Sequence, residues 1–492
     1  MGKRDREPGA GRARRMLAGG LVLALLAGAG VAWRTGWAEQ WWDELRADAG
    51  TPADPAAVAP PPTVDIPPVV APVALAPAAD GAAALDRGQV RRALAPLDSP
   101  DLGRHVIAAV GPLEGAGLTY EATEGAGVAI PASTTKIVTA AAALFLLGPE
   151  RTFATTAVVD TSGPGSAGEA PRLVLVGGGD PLLARAPGKP AGGATYDPER
   201  ADVRTLAKRA ARALKQSGTT TVELGFDDGL FAGPAVHPSW KPEYLPDEIN
   251  PVSALWVDEG RPLPGQGAVA DPALEAAATF AKALARRGIT VTGDLTRSPA
   301  PAGATEVGRV TSPTVAQIVQ RLIEVSDNAA AEVLLRHAGL ADQGEGSFAG
   351  GQRAVERALA ANGIDLRGSV LYDGSGLSRD NRLAPGVLVD VLRLAASADH
   401  PRLRPLLAGL PVAGYTGSLT DRMDLGPAAG RGRVRAKTGT LTGVTSLAGI
   451  AIDADGHLMA FALMADRIKK VKGLPARVAM DNAAAGLGAC TC

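Results

Sequence analysis

The stretch PASTTKIVTA, residues 131–140, places a serine and a lysine three positions apart at the head of an apolar run that continues as AAALFLLG to Gly148. The run predicts a helix, with Pro131 in the opening turn, good helix formers from Ala140 to Leu147 and Gly148 as a stop. Beyond Lys136 it is apolar on nearly all sides, the pattern of a buried helix. A lysine on such a helix is costly unless it has a partner or a task. Residues at i and i+3 share a helix face, so Lys136 can reach the hydroxyl of Ser133. Alone the pair decides nothing: 17 serines and 11 lysines in 492 residues give about 0.4 such spacings by chance, and an opening turn with a snorkelling lysine is an equal reading.

Two further stretches change the balance. Ser326-Asp327-Asn328 is the only S-x-N of the chain and Lys437-Thr438-Gly439 the only K-T-G, and they follow the first motif in that order. A serine hydroxyl is a poor nucleophile until a base takes its proton, and lysine serves only if desolvation or a nearby cation lowers its pKa. The apolar helix and Lys437 are expected to push Lys136 that way. Ser133, near a helix start, also presents its backbone N–H where the dipole favours an anion, which is half of an oxyanion hole. The helix TVAQIVQRLIEV (314–325) stops at Ser326, and AAAEVLLRHAG (329–339) is the next. At that break a serine can relay a proton between Lys136 and a leaving nitrogen, and the Asn328 amide can hold a substrate backbone. The same three residues also suit a plain helix cap. On the predicted strand RVRAKTGTL (433–441) Thr438 and Thr440 point to one side and Lys437 to the other. A cation with hydroxyls suits a substrate carboxylate, and Gly439 admits a peptide closely; the competing reading is an exposed strand end with a hairpin at TLTG.

On these three motifs the sequence resembles the penicillin-interacting serine D-Ala-D-Ala carboxypeptidase/endopeptidase family, the low-molecular-mass class C penicillin-binding proteins, which share the motif set with β-lactamases. The resemblance covers roughly residues 85 to 490, and the stretch between Ser133 and Ser326 leaves room for the large insert of that family. GGGDP (177–181) and DGSGLSRDNRLAP (373–385) also look like family signatures, without an assigned role. The resemblance implies Ser133 as acylated nucleophile, Lys136 as its base and Ser326 as proton relay. It implies Asn328 on the substrate backbone, Lys437, Thr438 and Gly439 on the carboxylate side, and Thr440 N–H paired with Ser133 N–H as the oxyanion hole. The implied fold is α/β (α+β): a penicillin-binding/β-lactamase-like domain with a central antiparallel sheet flanked by helices, interrupted by a large inserted α/β region. The implied partners are peptidoglycan stem peptides and β-lactam antibiotics, with no cofactor and no metal.

Attack on a D-Ala–D-Ala amide would release D-alanine and leave an acyl-enzyme for water; a cross-linked stem would make the enzyme an endopeptidase. A β-lactamase of the same fold and a non-catalytic wall-binding scaffold are the alternatives. The E-x-x-L-N segment that a class A lactamase carries after S-D-N does not occur, and a scaffold has no need of a buried lysine beside a serine. Nor does any G-x-S-x-G occur, which argues against a Ser-His-Asp hydrolase.

Composition sets the frame. Fifty basic and 51 acidic residues give a net charge of −1, which removes any global electrostatic case for nucleic acid. Five scattered histidines and two cysteines, Cys490 and Cys492, form no metal-ligand array; a bridge between those cysteines would close only the tail and staple nothing. Basic residues precede an uncharged run over 16–33, and Trp33, Trp37, Trp41 and Trp42 border or follow it. As a helix the run would be about 27 Å long, close to a bilayer's hydrocarbon thickness. The expectation is a cytoplasmic tail (1–15) and a transmembrane anchor (16–33) with the rest exported; a cleaved signal is the other reading, and both place the working part outside the cytoplasm. A Pro/Ala-rich linker (34–84), a first catalytic segment (85–151), an insert (152–304) and a second catalytic segment (305–492) complete the expected organisation.

Overall fold

The computed structural model describes residues 80–122, 127–160, 170–188, 198–262, 267–423 and 428–492. The expected anchor over 16–33 and nearly all of the linker over 34–84 lie outside the described residues.

In chain order, α1 (Arg87–Ala93) leads to β1 (Val106–Pro112), β2 (Tyr120–Ala122) and α2 (Thr135–Leu147). Then come β3 (Ala154–Val159), β4 (Arg172–Val176), α3 (Val203–Gln216), β5 (Thr221–Asp227), α4 (Pro272–Ala285), β6 (Thr290–Arg297) and β7 (Thr305–Thr311). Five helices follow: α5 (Val315–Val325), α6 (Asn328–Gln343), α7 (Phe348–Ala361), α8 (Pro385–Ala396) and α9 (Arg404–Ala408). The chain closes with β8 (Val434–Leu441), β9 (Val444–Ile452), β10 (Leu458–Ala465) and α10 (Gly473–Ala489).

The first sheet has the order β2-β1-β10-β9-β8 and is antiparallel throughout. Side chains alternate across a strand, and here both faces are covered. Along β10, Met459, Phe461, Leu463 and Ala465 join a core with α1 and α10, while Ala460, Ala462 and Met464 face a second core built from α2 and α5 to α9. Helix α2 lies within that second core, and every residue from Thr135 to Leu144 is buried. That is why its sequence is apolar all round and not merely along one stripe.

The second sheet, β6-β5-β4-β3-β7, belongs to the insert. Strands β4, β5 and β6 are parallel, joined through α3 and α4 as two βαβ crossovers, and both helices pack on one face around Leu206, Phe280 and Leu224. The sheet runs beyond the limit expected at residue 304: β7 pairs antiparallel with β3 and closes the edge, because Thr305 to Thr311 must return beside Ala154 to Val159 before the chain can re-enter the catalytic helices. The outgoing and returning chains are bonded side by side, Ser312 N–H to Phe153 O at 2.8 Å and Val315 N–H to Arg151 O at 2.8 Å. The cysteines form a Cys490–Cys492 disulfide at the C-terminus.

GGGDP, without a role in the sequence, is a joint. Gly178 is packed so closely that a Cβ there would overlap the Ala154 carbonyl oxygen. Next to it the Gly179 carbonyl accepts a hydrogen bond from His337 Nε2 on α6 at 2.9 Å, and the His337 ring stacks on Phe153 at 3.8 Å. The segment therefore fastens the insert to the helix that carries the second motif. Gly178→Ala is expected to destabilise the protein by about 1–3 kcal/mol, the usual cost of overpacking, measured by denaturant unfolding. Acylation by a penicillin per folded molecule should stay at the wild-type level.

Candidate active site

The three motifs converge on α2. Ser133 lies in a short 3-10 turn (Ala132–Thr134) at the head of that helix, and the residue before it, Ala132, has a φ of 48°, the left-handed region. A non-glycine residue there is strained and persists only where its surroundings fix it. The Thr134 hydroxyl donates to Pro131 O at 2.7 Å, Thr135 to Ala132 O at 2.8 Å, and Ser446 on β9 to Pro131 O at 2.5 Å. The threonines, which read as opening-turn residues in the sequence, are what hold the Ser133 turn in place.

Lys136 is fully buried. Its Nζ lies 2.9 Å from Ser133 Oγ, 2.7 Å from Asn328 Oδ1 and 2.7 Å from the Ser375 carbonyl oxygen. An ammonium satisfies all three as a donor. A neutral amine has two N–H groups for Asn328 and Ser375 and one lone pair, and Ser133 O–H is the remaining neighbour that can donate to it. Burial lowers the Lys136 pKa to about 8 against the opposing pull of Asp373, Glu332, Asp327 and Glu248. Of the two influences expected on Lys136, burial is the dominant one, and the repulsion between the two lysines, which is mutual, is expressed in the lowered pKa of Lys437. Lys437 is also fully buried and is held well below its usual value by burial first, then by Lys136 and Arg422.

Ser326 caps the C-terminus of α5 in the left-handed conformation, φ 62°, its N–H bonded to Leu322 O. Asp327 then caps α6, accepting from Ala330 N–H at 2.9 Å and pairing with Arg321. This tight reversal carries Asn328 to Lys136, and the other end of the Asn328 amide donates to Glu248 O, from the insert, at 2.9 Å. Ser326, Asp327 and Asn328 line a cleft of about 510 Å³ whose far wall is insert residues, among them Asn250, Glu259 and Arg261.

Strand β8 forms the remaining side. Lys437 pairs with Ala448 on the face toward α2, and Lys437 Nζ donates to Thr438 O at 2.9 Å. The Thr438 hydroxyl donates to Ser418 Oγ at 3.1 Å. A Cβ on Gly439 would overlap Ser446 Oγ and lie 2.6 Å from Pro131 O and 3.1 Å from Ser133 N, so only glycine lets the strand pass this close to the Ser133 turn. Thr440 is exposed at the end of β8, opposite Thr445. Ser133, Lys136 and Asn328 are thus in direct contact, Gly439 abuts Ser133, Lys437 and Lys136 repel each other electrostatically, and Ser326 shares the cleft wall with Asn328.

Sequence reasoning passed over four contributors. Glu332 on α6 and Asp373, Ser375 and Trp240 from two loops complete the surroundings of Lys136: Trp240 Nε1 donates to Asp373 Oδ2 at 2.7 Å, and Glu332 accepts from Ser375 N–H at 2.7 Å. A signal existed for one of them. Glu332 stands alone in AAAEVLL, the same lone charge in an apolar helix that singled out Lys136. Among the described residues the one grouping of metal-ligand character is Asp453, Asp455 and His457. Asp453 there already accepts the N–H groups of Asp455, His457 and Cys492, as a turn-forming carboxylate does.

The family model for D-Ala-D-Ala carboxypeptidase 3 (S13) matches residues 90–264 and 258–487. The chain belongs to that family. It is 36% identical over 446 residues to a carboxypeptidase of Mycobacterium tuberculosis, covering 89% of this chain and 90% of the relative. It is 31% identical over 422 residues to a D-alanyl-D-alanine carboxypeptidase of Actinomadura, covering 69% and 74%. In structure it is similar to penicillin-binding protein 4 (dacB) from Haemophilus influenzae, with a TM-score of 0.66 and 22% identity over 80% of this chain and 97% of that one, a likeness of fold. The chain is a hydrolase of the carboxypeptidase class with a penicillin-binding/β-lactamase-like fold. Among the described residues no helix is long and apolar enough to cross a membrane.

The lowered Lys136 pKa gives a pH dependence with a definite sign. The amine accepts a proton only when neutral, so acylation is suppressed below the folded pKa and released above it. The second-order rate constant for capture of a fluorescent penicillin should fall about tenfold per pH unit below about 8 and level off above it. A profile flat from about pH 6 to about 9 would contradict Lys136 as the base.

Proposed function

We propose that the protein is a serine-type D-Ala-D-Ala carboxypeptidase/endopeptidase that trims peptidoglycan stem peptides through an acyl-enzyme on Ser133 and is acylated at the same residue by penicillins. The contact that carries this reading is Lys136 Nζ at 2.9 Å from Ser133 Oγ, with its other hydrogen-bonding positions filled by Asn328 and Ser375. In the proposed reaction Lys136 takes the Ser133 proton as Oγ attacks the carbonyl carbon of the penultimate D-alanine. The backbone N–H groups of Ser133 and Thr440 receive the developing oxyanion. Ser326 passes a proton to the leaving nitrogen, the C–N bond breaks and D-alanine departs with its carboxylate beside Lys437 and Thr438. Asn328 holds the peptide backbone, Gly439 gives it room along β8, and a water molecule attacking the ester regenerates Ser133.

The family acts on the cell wall, and we read the N-terminal stretch as placing this member there: a cytoplasmic tail at 1–15, a membrane anchor or signal at 16–33 and a spacer at 34–84. The globular part divides on this reading into catalytic segments before and after the insert.

The test is the intact mass of the detergent-solubilised full chain after exposure to benzylpenicillin, beside Ser133→Ala. A persistent adduct on the wild type alone, with D-alanine released from a stem pentapeptide, is the expected result. Penicillin consumed without a lasting adduct would favour a β-lactamase, and no adduct with intact penicillin would remove the catalytic assignment.

A further inference from the structure

The third neighbour of Lys136, the Ser375 carbonyl, sits on the loop that follows Asp373, part of the DGSGLSRDN stretch left without a role by the sequence. Two buried carboxylates give that loop its shape. Asp373 accepts from Gly376 N–H at 3.0 Å, Ser378 N–H at 2.6 Å, Asn381 Nδ2 at 2.7 Å and Trp240 Nε1 at 2.7 Å. Glu332 lies one helical turn after Asn328 on α6 and is fully buried. Both its oxygens accept from Gly374 N–H at 3.1 Å, and one also accepts from Ser375 N–H at 2.7 Å. Arg336, a further turn along, directs its guanidinium to the carbonyls of Ala232 and Pro234 at 3.0 and 2.6 Å.

A buried carboxylate is costly, and where it serves only packing an apolar residue does as well or better. Glu332 is held against that cost by the N–H groups of Gly374 and Ser375, on the residue whose carbonyl touches Lys136. We propose that Glu332 is a positioning residue for the base: its carboxylate grips the Gly374 and Ser375 N–H groups and thereby holds the Ser375 carbonyl on Lys136 Nζ, leaving the remaining direction of the amine for Ser133. The inference rests on Lys136 acting as the base of Ser133. Helix α6 then presents two residues one turn apart to the same amine, Asn328 directly and Glu332 through the loop.

The charged groups around the pair fix the sign of the test. Lys136 is faced by Asp373, Glu332, Asp327 and Glu248, all of which favour its ammonium, and it lies beside Lys437. Glu332 is faced by Asp373 and by Arg336; burial, then Asp373, pushes its carboxyl up to about 8 while the loop N–H groups pull it back. Releasing the Ser375 carbonyl destabilises the ammonium whatever the state of Glu332, and loss of the carboxylate charge adds to this where Glu332 is ionised, so the Lys136 pKa falls. The acid limb of acylation moves to lower pH, while the plateau drops because the amine is no longer aimed.

The experiment measures fluorescent-penicillin acylation against pH, with thermal unfolding alongside, for the full chain, Ser133→Ala, Glu332→Gln and Glu332→Asp. Glu332→Gln should lose about tenfold or more on the plateau, within the roughly 10²–10⁴ that a placed base supplies, with its acid limb displaced downward. Glu332→Asp, which keeps the charge but withdraws it by one methylene, should be intermediate and should carry the test if Glu332→Gln does not fold. Either folded variant at the wild-type rate and limb overturns the inference. A loss of stability with the limb unmoved and the folded fraction fully active also overturns it, since that is a purely structural role. A wild type that is not acylated, or a Ser133→Ala protein that is, refutes the Ser133–Lys136 reading and the inference with it.

Discussion

The structure turns on the burial of one amine. Lys136 lies inside the helical core, where an ammonium is expensive, and desolvation brings its pKa to about 8. The rest of the site can be understood as the means of keeping a desolvated lysine in place without neutralising its function. Too few partners would leave an unsatisfied polar group in the core, and a carboxylate in direct contact would hold the proton on the nitrogen. The fold supplies instead one amide oxygen, one backbone carbonyl and the Ser133 hydroxyl, and keeps Glu332 behind backbone N–H groups.

Meeting that requirement draws on distant parts of the chain. Asn328 arrives because α5 ends at Val325 and α6 restarts three residues later, with Ser326 left-handed between them and Asp327 capping the new helix. The Ser375 carbonyl arrives on a loop shaped by Asp373 and Glu332. The insert takes part as well. Its sheet and two helices form a separate core, yet Trp240, Ile249, Val252 and Trp256 pack into the catalytic core, and Glu248 O receives the Asn328 amide. The segment from Glu248 to Arg261 is therefore a wall of the cleft beside Ser326 and Asn328 as much as part of the insert.

Local patterns in the sequence carried much of this. The all-round apolar run after Lys136 announced a buried helix; SDN between two periodic stretches announced a helix break; and RVRAKTGTL announced the strand that carries Lys437. What escaped is what depends on contacts between residues far apart in the chain. GGGDP and DGSGLSRDN were visible as glycine-rich stretches, but their tasks are set by Ala154, His337 and Glu332, and spacing does not reveal those neighbours. The strand Thr305–Thr311 escaped for the same reason: only its pairing with β3 attaches it to the second sheet. Of the two causes expected for the lysine's low pKa, burial on the apolar helix is the one that dominates, and the share of Lys437 depends on distances that a sequence does not hold.

The two serines assigned to the chemistry share a further property. Ser133 follows a left-handed Ala132, and Ser326 is itself left-handed, with φ values of 48° and 62°. Such conformations cost about 1–3 kcal/mol each in a non-glycine residue, so each must be imposed by its neighbours. At Ser133 they are the hydroxyls of Thr134, Thr135 and Ser446 together with the close passage of Gly439; at Ser326 they are the Leu322 carbonyl and the Asp327–Arg321 pair. Neither set of neighbours is local to one element: the first joins α2 to β8 and β9, the second joins α5 to α6. The placement of both hydroxyls is thus secured by the same packing that closes the core: relaxing Ala132 would part α2 from β8 and β9, and relaxing Ser326 would part α5 from α6.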